Sequence, residues 1–296
     1  MTERRIPRLT IAAHALTLLG AILAAFYWWQ LTSLGSYAWD AGIYYRINLD
    51  DLYAGWVVGG PDAFQYSPAF AQVIGVLRGI FSFEVFVAIW RAAELAIVVY
   101  LAGPLTIPVL LWGPVASEVN AGNVNLFLAL AVALGFRTPG SWAFVLLTKV
   151  TPAVGLLWFP VRREWRKLAV AVSVTALVSA VSFAVSPGQW IAWVSLILGH
   201  SSDNVVTFPY FVPLLVRLPV AALVVVVAAR LGWRWIVPVA AMLAAPVLYF
   251  PTQSIAIGAL PFVRHSLGRR LRELLQRSRP ARTIAEPIEQ SAPVIR

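Results

Sequence analysis

Residues 168–186 read LAVAVSVTALVSAVSFAVS and contain no charged side chain. A run of this length matches the roughly 20 apolar residues that an α-helix needs to cross the hydrocarbon core of a bilayer. It follows directly on the basic cluster RREWRK at residues 162–167, and such clusters are typical of cytoplasmic loops. Together the two segments predict a transmembrane helix whose N-terminal end lies on the cytoplasmic side of the membrane.

Similar runs along most of the chain predict an all-α, polytopic transmembrane bundle of about nine or ten spans. The first span covers residues 9–31 and follows a basic start, which places the N-terminus inside. Residues 104–136 are interrupted by glycine, proline and a polar run, so we expect a broken pair there whose backbone is covered by protein. The further candidate spans cover residues 66–81, 84–103, 104–117, 122–136, 141–160, 168–186, 210–229, 235–250 and 252–263.

The composition narrows the class of protein further. Of the 296 residues, 60% are hydrophobic and 12% are charged, which is too apolar for a soluble domain of this length. The net charge of +10 lies at span ends and in the tail, so we expect it to face membrane lipids rather than nucleic acid. Without cysteine the chain has no disulfide, thiolate metal site or cysteine nucleophile. It also has no zinc-type histidine cluster, Walker loop or nucleophile elbow.

These features predict two regions in a multi-pass plasma-membrane protein with both termini in the cytoplasm. Residues 1–264 form the membrane domain. Within it, residues 32–65 form an extracytoplasmic loop, whose aromatic and apolar side chains favour short interfacial helices. Residues 265–296 form a cytoplasmic tail that begins as a basic amphipathic helix and ends in a polar, disordered segment.

Asp40 is the first candidate for a catalytic group. It lies just beyond the first predicted span in the stretch WDAGIYY, residues 39–45. A carboxylate among aromatic side chains at the end of a span is unfavourable unless it is hydrated, paired with another polar group or required for function. We therefore interpret Asp40 as a catalytic base, with a plain interfacial acid as the alternative.

Polar groups inside the predicted spans are the other candidates, because ionisable side chains in a membrane mark functional sites by default. Lys149 lies mid-span, three residues before Pro152, and could hold a phosphate or pair with Glu118 or Glu94. Asn123 and Asn125 could donate to sugar hydroxyls or phosphate oxygens, or could cap a broken helix.

Arg91 and Glu94 are three residues apart, which is the spacing of a local ion pair on one helix face. We interpret this pair as structural.

Four segments together resemble glycosyltransferase family 87, a group of polyprenol-phosphate-mannose-dependent enzymes of the GT-C superfamily. They are WDAGIY at residues 39–44, YSP at 66–68, PVASEVNAGNVN at 114–125 and KVTP at 149–152. In order they are similar to the family's Asp-x-x-x-Tyr, Tyr-Pro-Pro, Gly-Gln-x-Asn and Lys-x-x-Pro elements. Here Ser67 replaces the first proline and Asn123 stands where glutamine is usual.

The resemblance implies an inverting hexosyl- or pentosyltransferase with a GT-C-like fold that acts on the extracytoplasmic side. Its donor would be a sugar, mannose by resemblance, on a polyprenyl phosphate, and its acceptor a glycolipid or lipoglycan of the cell envelope. Asp40 would be the general base, and neither a metal nor another cofactor would be required. The substrate-binding candidates are Tyr44, Tyr66, Glu118, Asn123, Asn125 and Lys149.

Two alternatives stay open. A non-catalytic protein that binds or flips polyprenyl phosphate would keep Lys149 and the asparagines but tolerate loss of Asp40. A small-solute transporter would use Glu94, Glu118 and Lys149 to line a pathway across the bilayer.

Overall fold

The structure, a computed structural model, describes residues 38–53, 64–199 and 212–264. The first predicted span at residues 9–31 and the tail from residue 265 lie outside the described residues. The described part of the chain is predominantly helical and contains no strand, which confirms the all-α prediction. Its 3₁₀-helices are Gly103–Leu105, Pro139–Ser141, Thr151–Leu157 and Phe250–Ala259. The α-helices are α1 (Trp39–Arg46), α2 (Pro68–Ile80), α3 (Phe83–Ala102), α4 (Thr106–Leu111), α5 (Gly113–Ala121), α6 (Asn125–Leu134), α7 (Trp142–Thr148), α8 (Trp158–Val161), α9 (Trp165–Val185), α10 (Pro187–Gly199), α11 (Leu214–Leu231) and α12 (Ile236–Leu243).

Three of the described helical segments are long and apolar enough to cross a membrane: Phe83–Leu111, Trp165–Val185 and Leu214–Leu231. Helices α5 and α6 form a fourth span if the pair, which is bent by 112°, counts as one. Many large apolar side chains on these helices are exposed on the outside of the bundle. An outer surface of this kind suits lipid, and the protein is therefore membrane-embedded.

Other predicted spans are built differently from the expectation. The span predicted at residues 84–103 and the first part of the span predicted at 104–117 form one apolar helical segment, Phe83–Leu111. The 3₁₀ turn Gly103–Leu105 joins α3 to α4 within it. The span predicted at 141–160 is broken at Lys149, ahead of Pro152. Proline lacks an N–H group and disfavours helical geometry in the residue before it, so a single straight helix cannot form there.

Helix α1 lies within residues 32–65, where a short helix is expected, and it is packed against the bundle. Its Tyr44 is only 1% exposed and meets the rings of Tyr66 and Phe70 edge-on, with ring centroids 5.3 and 5.4 Å away. Arg78 of α2 donates to the carbonyl of Ile47 at 2.8 Å, just beyond the C-terminal end of α1. Helix α1 is thereby attached to the bundle at both its apolar face and its C-terminal end.

The 3₁₀-helix Phe250–Ala259 packs between α5, α6 and α12. Close contact is possible because Gly258 has no side chain, and a Cβ there would lie 2.7 Å from the carbonyl oxygen of Ala129. The turn that leads into this helix is held by Arg217, which donates to the carbonyls of Leu243 at 2.6 Å and Ala245 at 2.9 Å. A segment late in the chain is in this way brought against the broken helix pair.

Candidate active site

Helix α1 carries Asp40 in its first turn. The residue before the helix, Ala38, is in the left-handed conformation with φ 53°. Its N–H donates to the carbonyl of Asn120 at 2.8 Å, while its own carbonyl accepts from Gly42 N at 2.7 Å. The start of α1 is therefore defined by a contact with residue 120, and this contact directs Asp40 toward the break between α5 and α6.

Residues 120–125 form this break, which we call the polar turn. Helix α5 ends at Gly122, whose φ of +71° is a left-handed helix stop that glycine adopts without steric cost. A Cβ on Gly122 would lie 2.8 Å from the Cβ of Ala41, so α1 sits directly on the turn. Helix α6 then starts at Asn125 in a new direction. The broken pair expected in residues 104–136 has its bend here.

Glu118 lies behind the polar turn and is fully buried. Its two carboxylate oxygens accept hydrogen bonds from Asn125, one from the backbone N–H at 2.6 Å and one from Nδ2 at 2.8 Å. An acid at this position satisfies a backbone donor of the first turn of α6 and interacts favourably with the helix dipole. Glu118 thus supports Asn125 from the protein side.

Lys149 approaches Asn125 from the other side. Its Nζ donates to Asn125 Oδ1 at 2.7 Å, so the asparagine amide bridges the lysine and Glu118. Helix α7 ends at Thr148, and Lys149 has an extended backbone with φ −133°. The ammonium group is consequently held beside a backbone freed from helical geometry, and Lys149 as a residue is half-buried.

Asp40 lies within electrostatic reach of Lys149, and the side chain of Asn123 acts on its carboxyl group as a hydrogen-bonding neighbour. Burial raises the pKa of the Asp40 carboxyl above its ordinary value, while the bond from Asn123 and the charge of Lys149 lower it in part. A partly buried carboxylate with a raised pKa is a better proton acceptor than a free one. The site therefore combines a partly buried carboxyl group with a cation and amide groups nearby.

Two buried tyrosines, Tyr44 and Tyr66, lie near Asp40 and interact with it electrostatically. The hydroxyl groups of Tyr44 and Tyr66 share a hydrogen bond of 2.9 Å in buried surroundings. Burial and the neighbouring Tyr66 raise the pKa of Tyr44 well above its ordinary value, so its phenol stays neutral. Ser67 follows at the start of α2, where its Oγ accepts from Phe70 N and Pro68 takes the first helical position, an arrangement typical of helix starts.

Two aromatic residues of this site are not predicted from the sequence. Trp90 donates from Nε1 to the carbonyl of Asn123 at 3.4 Å, and Tyr249, ahead of the late 3₁₀-helix, interacts electrostatically with Asp40. Neither residue carries a signal in the sequence beyond its aromatic ring, because the contacts join segments far apart in the chain.

The charge of Arg91 acts on Glu94, as their spacing on α3 predicts. Arg91 also donates from Nη2 to the carbonyl of Asn120 at 2.8 Å. Their spacing places both on one face of α3, and the polar turn offers Arg91 a backbone acceptor, whereas Glu94 is buried beside it without a hydrogen-bond partner among the described residues.

Comparison with known proteins identifies the family of the chain. The sequence model of glycosyltransferase family 87 matches residues 64–253, which include Tyr66, the polar turn and Lys149 but not Asp40. No curated protein and no solved structure matched the chain. Because the family match covers well over half of the sequence, the chain belongs to glycosyltransferase family 87 and is a membrane-embedded glycosyltransferase.

Proposed function

We propose that the protein transfers a sugar from a polyprenyl-phosphate donor to a hydroxyl group of a glycolipid or lipoglycan acceptor, with inversion at the anomeric carbon. The observation that carries the proposal is the placement of Asp40 beside Asn123 and within electrostatic reach of Lys149. A base and an anion-binding group on the two sides of one site are what this substitution requires.

In the proposed step, the acceptor oxygen attacks the anomeric carbon and its proton moves to the Asp40 carboxylate. The bond from the anomeric carbon to the phosphate oxygen breaks, and its electron pair leaves with the polyprenyl phosphate. Lys149 and the amides of Asn123 and Asn125 stabilise the phosphate charge that develops, since fixed donors are most effective where charge appears in the transition state. In this mechanism the cation is supplied by the chain itself.

The lipid of the donor fits the membrane-embedded character of the protein. A polyprenyl chain can lie against the exposed apolar faces of the helices, while its phosphate reaches the partly exposed Lys149. In this proposal the basic cluster at residues 162–167 marks the cytoplasmic ends of the spans. Helix α1 then lies at their opposite, extracytoplasmic ends. The donor sugar is mannose in the first test, with a pentose as the alternative.

The test is the Asp40→Asn variant, assayed in purified form with polyprenyl-phosphate mannose and membrane glycolipids. We expect sugar transfer to fall by about 10²–10⁴-fold, the usual contribution of general-base catalysis, without loss of folded protein. Asp50→Asn is the matched control, because Asp50 is exposed four residues beyond the end of α1 and undergoes the same change of charge.

Full activity of Asp40→Asn would remove the proposed mechanism. If the unmodified protein bound or moved polyprenyl phosphate but transferred no sugar, the non-catalytic alternative would replace it. Mass spectrometry of lipoglycans from a deletion strain identifies the acceptor, which is the glycan that loses a sugar.

A further inference from the structure

We propose that Arg91 is a positioning residue for Asp40, and that it acts through the carbonyl oxygen of Asn120. This inference rests on the proposed role of Asp40 for its catalytic meaning, whereas the contact itself rests on geometry alone. The contact through which Arg91 acts lies on the polar turn, where α1 begins.

The carbonyl oxygen of Asn120 accepts two hydrogen bonds at once. One comes from Arg91 Nη2 at 2.8 Å and the other from the backbone N–H of Ala38, also at 2.8 Å. A guanidinium group on one helix and the residue ahead of α1 therefore meet at a single atom. Any shift of this carbonyl is passed to Ala38, which precedes Asp40 by two residues.

The backbone conformation of Ala38 depends on its hydrogen bond to the carbonyl of Asn120. Its left-handed backbone is unfavourable for a residue with a Cβ, and such a conformation persists only where its surroundings impose it. The bond to Asn120 is the contact that does so here. Without it, Ala38 can relax to an ordinary conformation, and the first turn of α1 then changes direction.

A second contact, between Ala41 and Gly122, also joins α1 to the polar turn, so a movement of the turn displaces the helix. Ala41 lies against Gly122 so closely that a Cβ on the glycine would approach its side chain to 2.8 Å. Helix α1 is therefore seated on the polar turn at two points, Ala38 with Asn120 and Ala41 with Gly122. The seat is stable only while residues 120–122 keep their place, and α3 holds this place through Arg91.

Arginine suits the task better than lysine. Its Nη2 lies 2.8 Å from the backbone oxygen of Asn120 and 3.4 Å from the side-chain Oδ1, and the planar fork fixes the direction of approach. Trp90, the preceding residue on α3, reaches the carbonyl of Asn123 in the same turn. Two neighbouring residues of one helix thus hold both ends of the segment that faces Asp40.

The kinetic test compares Arg91→Met and Arg91→Lys with the parent enzyme, using polyprenyl-phosphate mannose as donor. We expect kcat to fall by about 10²-fold for Arg91→Met, which is the effect of roughly 1 Å of misplacement, and less for Arg91→Lys. KM for the donor should stay unchanged because Arg91 acts through the polar turn. Arg230→Met, an exposed change of the same kind at the end of α11, is the control and should leave both constants unchanged.

A second measurement does not depend on activity. Because the chain has no cysteine, a single Ala38→Cys reports on the seat of α1 through its rate of reaction with a maleimide. Residue 38 is only 2% exposed, so this thiol should react slowly with Arg91 present and at least tenfold faster in the Arg91→Met background. Arg230→Met should leave the rate unchanged. If Arg91→Met does not accumulate, Arg91→Lys replaces it in the comparison.

A raised KM with unchanged kcat would overturn the inference in favour of a direct donor contact. Equal labelling rates in the two backgrounds would overturn it as well, because α1 would then be seated without Arg91. If labelling rises while no variant, nor the parent, transfers sugar, the positioning role holds and the proposed function fails.

Discussion

Lys149 and Glu118 contact the same asparagine from opposite sides. Nζ of Lys149 lies 2.7 Å from Oδ1 of Asn125, and the Glu118 carboxylate accepts hydrogen bonds from the backbone N–H and from Nδ2 of that residue. The asparagine amide thereby orients the lysine, and the buried acid orients the asparagine. Because a fixed cation stabilises developing charge better than a mobile one, this three-residue arrangement is the basis of two predictions.

Replacing Lys149 by methionine should slow sugar transfer by about 10²–10³-fold, since it removes the group proposed to stabilise the leaving phosphate. Steady-state transfer from polyprenyl-phosphate mannose measures the effect. Lys167→Met is the matched control, because Lys167 is paired with Glu164 away from the polar turn. A variant at position 149 that keeps the parent rate would contradict the assignment.

Replacing Glu118 by alanine should lower the thermal stability of the protein. The change leaves two donors of Asn125 buried without their acceptor, at a cost of about 1–3 kcal/mol for each unsatisfied group. Thermal unfolding in detergent checks this. Glu84→Ala, in an exposed position at the start of α3, should change the midpoint little. Equal midpoints for the two variants would mean that Glu118 does not support the polar turn.

The pH dependence of transfer should report on Asp40. A general base acts only when deprotonated, so activity is lost as pH falls through its pKa. Burial raises this pKa, and the acidic limb of kcat/KM should therefore lie above the range of an ordinary aspartate. In Asn123→Ala the hydrogen bond that lowers the pKa is lost, and the limb should move to still higher pH.

The position of the acidic limb, rather than the height of the profile, is the quantity to compare in that experiment. Asn48→Ala changes an exposed asparagine beyond the far end of α1 and should leave the limb in place. A limb that moves to lower pH in Asn123→Ala would contradict the predicted sign.

Gly122→Ala should impair both stability and activity. An alanine at φ +71° is unfavourable by about 1–2 kcal/mol, and its Cβ would press against Ala41 and displace α1. Thermal unfolding and transfer rates measure the two effects. Gly79→Ala is the control, since a Cβ there meets no atom within 4 Å and alanine is the better helix former. A normal transfer rate in Gly122→Ala would show that α1 tolerates displacement.

Much of the fold was predictable from local chemistry. The apolar run at residues 168–186 became α9, Pro68 took the first turn of α2, and Pro152 follows the break at Lys149. Each of these outcomes depends on residues that are neighbours in the chain. The role of Arg91 was not predictable, because its partner is a backbone carbonyl 29 residues away that any residue type could supply.

The membrane-embedded helical class, the break near residue 122 and the group of polar residues available for a site all follow from local chemistry. Hydrophobicity, proline and glycine act on neighbouring residues, and charged side chains are easily recognised in an apolar chain, so these features can be predicted without coordinates. Which groups meet is visible in the folded protein alone: Asp40 with Asn123, Lys149 with Asn125, and Arg91 with Asn120. Such contacts depend on the direction in which a bent helix pair leaves its turn, and that direction is set by the packing of α1, α3 and the late 3₁₀-helix around it.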